Sequence, residues 1–562
     1  MNPLEHYSVT FSGVHLGEEG SVDSIVDRLS RMRTADVIQT TSKLMMFMEA
    51  VEGGGIRNVQ ASLAEALFPR EVSHRLLKLL EVPAANGGVD VLFFPQQLMS
   101  LQKLALAVGE QGVPTSFGGG SQWGEFLLAA AQVSDVIQEK SAFPGSEVTG
   151  ADREDSLAVF FLRNAEANRL AFYKAVAGRA YRYWIGTGLP WPDGLEHPDD
   201  YCRRSFGVSM RRFMAICLAP AYARVNMVEP SPSEAVFDPV AYFARAGIEE
   251  REVCAVIDPL TYPSRLPSSV ADEAATYWAF ADLAAQPYLT SSETTLVPCS
   301  VTRAFERGTT GLFWLLHASL GGQGEAINLL TSHFGQLFEQ YCLDVASLSA
   351  PSAVHVEGEI EYRRTGRRDL VKSSDVLVSG LGTRDASRVF VECAAIRPTQ
   401  PLFRDAERSA FANYVAKLVG KLQQLDRSIN DHRLGDFELT RDVAGPNDAY
   451  LPVLVVDEPF QWTVHLRNVL ERETTGLGLF SPINVTKPIV CDVGEYEHLW
   501  HAVESGRSVV ELLSGYLAET DRTVPLEQYL YSTTGGLGSP ASVSLGFDAF
   551  SELLIEELQL SG

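Results

Sequence analysis

The chain has 562 residues, 46% apolar and 21% charged, which makes it globular, too long for one ordinary core and unlike a disordered chain. Its formal charge of −25 argues against a protein that coats nucleic acid indiscriminately, because the far field repels phosphate. No apolar run reaches the ~20 residues of a bilayer crossing, the first residues do not read as an export signal, and seven scattered cysteines form no C-x-x-C pair, so a cytoplasmic protein with reduced thiols and no membrane association is expected.

From Ser21 to Tyr288 the apolar periodicity is mainly helical. Val22, Ile25, Val26 and Leu29 recur at helical spacing, as do Val72, Leu76, Leu77, Leu79 and Leu80. Further helical runs occupy residues 98–108, 126–137, 157–184, 206–219 and 270–285, and residues 7–11 and 89–94 read as short β-like pieces. Glycine and proline clusters at residues 53–55, 118–120 and 189–194 cut the runs to the lengths of a helical bundle. Residues 305–320 and 325–345 continue as helices, but beyond Pro351 strand-like runs at 354–362, 376–378, 389–391, 453–456 and 488–493 alternate with helices at 407–429, 463–473 and 495–504. The expectation is therefore an α plus α/β chain. Residues 1–300 form a mainly helical region offering a surface for a protein partner or self-association, and residues 301–562 form a mixed sheet flanked by helices.

Chemistry concentrates between residues 334 and 430. Glu339 sits at the rim of a helical apolar stripe made by Phe334, Leu337, Phe338, Tyr341 and Val345. Asp375 and Glu392 lie in apolar strand-like runs 17 positions apart, with turn-forming Gly380, Gly382 and Asp385 between them. A carboxylate in such a run is costly unless paired or bound to a cation. Two on neighbouring strands point to a hard-metal site with oxygen ligands, suited to Mg2+ or Mn2+. Residues 351–430 hold 13 Lys and Arg against 10 Asp and Glu, a basic island in an acidic chain. Within it Arg363, Arg364, Arg367 and Arg368 flank Gly366 in an apparent hairpin turn, either a phosphate clamp or an intramolecular pairing surface toward the acidic N-terminal region. His498 and His501, one helical turn apart, lack an evident third ligand and read as structural.

The order helix, strand, strand, strand, helix, with carboxylates on three elements, resembles the core of the PD-(D/E)xK nuclease superfamily over residues 334–429. The resemblance implies a restriction-endonuclease-like domain that hydrolyses nucleic-acid phosphodiesters, of the kind that bacterial defence proteins join to a helical sensor or assembly region. It also implies that Glu339, Asp375 and Glu392 hold Mg2+ or Mn2+, with Asp375 and Glu392 catalytic. The family's lysine belongs two places after Glu392, where this chain has Ala394. Lys417 and Lys421 on the following helix, or Lys372 before Asp375, are the replacements to consider. The alternatives are a degenerate nuclease acting as a nucleic-acid-binding or assembly scaffold, and an interaction module whose acids are structural.

Overall fold

The computed structural model describes residues 20–50, 60–62, 64–65, 68–81, 92–115, 117, 120–140, 150–167, 173–225, 236–267, 280–380, 387–439, 448–457, 464–519 and 524–558. The chain combines helices with open mixed sheets. Residues 7–11 and 89–91 lie outside the described set; Leu92, Phe93 and Phe94, which are described, are not in a strand.

The sheet that carries the acids and its flanking elements are labelled in chain order. Helix α1 (Gly324–Ser349) leads into strand β1 (His355–Gly358), then a ribbon of β2 (Glu361–Arg363) and β3 (Leu370–Lys372), then β4 (Val376–Ser379) and β5 (Ser387–Ala394). Helix α2 (Arg408–Arg433), β6 (Ala449–Val456), α3 (Val464–Gly476), β7 (Ile489–Asp492) and α4 (Val493–Glu504) follow. The five-stranded order is β7-β6-β5-β4-β1. The β1–β4 and β4–β5 pairs are antiparallel, whereas β5–β6 and β6–β7 are parallel.

Burial on both faces explains why β5 and β6 read as continuous apolar runs rather than alternating ones. Val389, Val391 and Cys393 of β5 join one core with Phe334, Phe338 and Tyr341 of α1 and Leu499 of α4. Phe390 and Ala394, on the opposite face, join a second core with Phe411, Leu418 and Leu422 of α2 and Leu466 of α3. The run expected as one strand at 354–362 is two strands, because the chain leaves the sheet after Gly358 and starts the separate ribbon at Glu361. The run at 305–320 is likewise two helices, Val301–Arg307 and Leu312–Ser319, parted at Gly308–Gly311.

Packing is continuous across the boundary expected near residue 300. Helices between residues 22 and 137 build a core of their own around Leu44, Leu101 and Phe126. Tyr173–Trp184, by contrast, belongs to the same core as the sheet. That helix crosses Ala541–Glu557 at paired glycines: a Cβ on Gly178 would lie 2.5 Å from the Val543 carbonyl oxygen, and one on Gly546 would lie 2.9 Å from that of Gly178. Buried polar bonds tie the helix in further. Arg179 Nε lies 3.3 Å from Glu497 Oε1, Tyr341 Oη donates to Glu497 Oε1 at 2.6 Å, and Tyr183 Oη donates to Asp457 Oδ1 at 3.1 Å. Asp457 also accepts from Arg397 Nη2 at 2.5 Å, and that guanidinium lies over the rings of Phe334 and Phe313 at 4.8 and 5.0 Å. A short, separately paired three-stranded sheet (Thr261–Tyr262, Tyr288–Thr290, Leu296–Pro298) lies within the region read as helical and gives Tyr288 and Leu296 to the same core.

Candidate functional site

Register places the two strand acids opposite each other. Val376 of β4 pairs with Val391 of β5, so Asp375, the residue just before β4, stands across from Glu392 on the same face of the pair. That is the face covered by α2, where Leu377 and Phe390 pack. Asp375 ends the ladder on its side: its Oδ2 accepts from the Cys393 backbone N–H at 2.7 Å. Glu392 Oε1 accepts from Lys421 Nζ of α2 at 2.8 Å. These are the hydrogen bonds of the two carboxylates among the described residues.

Glu339 reaches the same cluster from α1 and is half-buried. Burial first, then the nearby charge of Asp375, raises its carboxyl to about 7 against the pull of Lys421. Glu392 is pushed up to about 8 by burial and by Asp375, again opposed by Lys421. Asp375 is raised by burial, which Lys421 and the Cys393 N–H partly offset. Burial acts to lower Lys421, but Glu392 and Asp375 outweigh it and the ammonium is held more firmly than in water. Three carboxylates, one on β5, one just before β4 and one on α1, thus share the field of one lysine.

The structure separates the lysine candidates. Lys421 meets Glu392, while Lys417, four residues earlier on α2, is exposed and lines a neighbouring depression of about 570 Å³ with Arg397, Glu407 and Tyr414. Lys372 is tied to Glu359 at 2.6 Å on the exposed rim. Ala394 is fully buried in the α2-side core, where a lysine would have to leave its ammonium among Leu402, Phe411 and Leu418. Glu359 was not singled out from sequence, yet its charge acts on both Asp375 and Glu339. Its position one residue past β1, in a run of alternating Glu357, Glu359 and Glu361, was the available signal.

The four arginines divide. Arg364 Nε donates to Asp431 Oδ2 of α2 at 2.8 Å, so its partner is that helix rather than the N-terminal region. Arg363, Arg367 and Arg368 are exposed, and their side chains form no ion pair among the described residues. His498 Nδ1 lies 2.8 Å from the Gly538 carbonyl oxygen, and His501 packs beneath the same glycine, consistent with a structural pair.

Among the described residues no three His, Cys, Asp or Glu side chains are already arranged as metal ligands. The donor chemistry nonetheless fits a hard divalent cation. Glu339, Asp375 and Glu392 are all oxygen donors, the donor type that such a cation takes. No protein-family model matches the chain, and no curated protein or solved structure matches it. No helix among the described residues is long and apolar enough to cross a membrane.

Proposed function

We propose that the chain is a divalent-cation-dependent nuclease of restriction-endonuclease-like fold, with Asp375, Glu392 and Glu339 as the cation-holding acids and Lys421 in the role of the lysine absent at Ala394. One observation carries this reading: in a frame of helix, sheet strands β1, β4 and β5, and helix, Asp375 and Glu392 stand opposite each other on one face, Lys421 Nζ lies 2.8 Å from Glu392 Oε1, and the charges of Asp375 and Lys421 both act on Glu339. When bound, Mg2+ or Mn2+ supplies Lewis-acid polarisation of the phosphodiester and acidifies a neighbouring water. The protein's own part is positional and electrostatic. Cys393 N–H fixes the orientation of Asp375, β5 fixes that of Glu392, and Lys421 presents a cation to charge developing on the phosphate.

A second reading draws on the direct Lys421–Glu392 contact and on the lack of a ready-made ligand group among the described residues: a degenerate nuclease that serves as a scaffold, its acids neutralised from within. Cleavage of DNA and RNA in Mg2+ and Mn2+ separates the two. Lys421→Ala should lower the rate ~10²-fold or more, the scale for removing one transition-state donor, and Lys417→Ala should leave the rate constant within a few-fold. Glu392→Gln should abolish metal-dependent cleavage. No cleavage by the parent in either metal, alongside retained nucleic-acid binding, selects the scaffold.

A further inference from the structure

The β2–β3 ribbon is built and held in a way that the carboxylate site does not require. At its tip Gly366 takes φ +77°, the left-handed conformation that favours glycine, in the turn of residues 364–369 that joins the two strands and carries Arg364, Arg367 and Arg368. One side is fastened to α2 and the segment after it. Beyond the Arg364–Asp431 pair, Thr365 donates through N and Oγ1 to Asp436 Oδ1 at 2.9 and 2.6 Å, and the Tyr362 ring lies 4.5 Å from that of Phe437. The root is fastened as well. Ser373 N donates to the Ile360 carbonyl at 3.0 Å and Ser374 N to Ser428 Oγ at 2.9 Å, and Asp375 comes next in the chain. Arg363, Arg367 and Arg368 therefore project from a backbone whose position relative to Asp375 is fixed.

That position lies beyond the reach of one phosphodiester. Ten helical residues separate Lys421, at the acids, from Asp431, at the ribbon, or about 15 Å along α2 at ~1.5 Å per residue. Along a duplex with a rise of ~3.4 Å this spans roughly four to five base pairs. Guanidinium forks match phosphate oxygens, and three of them with no ion pair among the described residues, in a chain of charge −25, form a local patch rather than a general polycation. The ribbon offers no stacking platform for unpaired bases, because Tyr362, its one aromatic residue, is turned inward and buried.

Resting on the nuclease reading for its substrate class, we infer that the ribbon grips the sugar–phosphate backbone of double-stranded nucleic acid about four to five base pairs from the phosphodiester at the carboxylates. Arg363, Arg367 and Arg368 make the contacts, and Arg364 is the anchor. The test measures binding in chelator, so it does not depend on cleavage. The probes are a 20-base-pair DNA duplex, its RNA counterpart, the single strands and a six-base-pair hairpin-capped duplex, titrated from 50 to 300 mM KCl. Against the parent, a variant carrying Arg363→Gln, Arg367→Gln and Arg368→Gln should bind a 20-base-pair duplex more weakly, with the slope of log affinity against log salt smaller by about 2.7, or ~0.9 per contact. Each single substitution should remove about a third of that difference, a check that survives if the triple variant folds poorly. The six-base-pair probe, ~20 Å long and so able to reach the ribbon from the acids, should also bind the variant more weakly than the parent. Equal slopes for parent and variant on both long duplexes overturn the inference, as does an equal dependence of single-strand binding on the three arginines. The same duplexes in Mg2+ report separately on the nuclease reading: a slope difference without cleavage rejects the hydrolase and keeps the clamp, and cleavage without a slope difference does the reverse.

Discussion

Replacing Glu392 with glutamine is expected to make the metal-free stability of the chain less dependent on pH. The Glu392 carboxyl is pushed up to about 8 in the folded chain, from an ordinary value of 4.5, because it is buried beside Asp375. A carboxyl raised on folding contributes stability that is fully present below its unfolded value and is lost as pH rises through the folded one. From pH 5.5 up to about pH 8 the unfolded chain has already lost this proton while the folded chain still holds most of it, at ~1.4 kcal/mol per pH unit. The linkage saturates as the pH passes the folded value, so the parent should lose about 3 kcal/mol more than Glu392→Gln across this window. The assay is urea denaturation followed by circular dichroism in chelator at a series of pH values. At pH 8.5, Mg2+ should restore stability to the parent and less to the variant, since a ligand that binds only the folded state stabilises it. Parallel pH profiles would refute the reasoning, because Glu392 would then be held ionised by Lys421 throughout the window.

Two further expectations concern stability alone. Arg364→Ala leaves the buried Asp431 without its cation and should cost about 1–3 kcal/mol in urea denaturation, whereas Arg363→Ala, on the open side of the ribbon, should stay within ~0.5 kcal/mol. Gly178→Ala sets a Cβ against the Val543 carbonyl, so the two helices must part or shift, and thermal melting should report a loss of ~1–3 kcal/mol.

What the sequence made legible follows from how local each signal is. The central strands announce themselves because burial on both faces leaves runs such as Val389-Phe390-Val391 with no polar alternation, and Glu392 stands out against such a run. The ribbon was hidden for the opposite reason: Glu361-Tyr362-Arg363 alternates like a continuation of the first strand, and only departure from the sheet after Gly358 distinguishes them. The continuity of the core past residue 300 had no local signal at all, since Arg179 meets Glu497 and Gly178 meets Val543 across more than half the chain. The lysine is the instructive intermediate case. Lys417 and Lys421 are four residues apart and share one flank of α2, so helical periodicity cannot rank them. They differ in height along the axis by about 6 Å, at ~1.5 Å per residue. Which height matches Glu392 depends on how far α2 has slid along the sheet, and that is set by the connection through residues 395–407 with its short helix Gln400–Asp405, not by the pattern of either element. A charge at the right place in a fold can therefore be read from sequence as a flank, but its level on that flank is a property of the loop that delivers it.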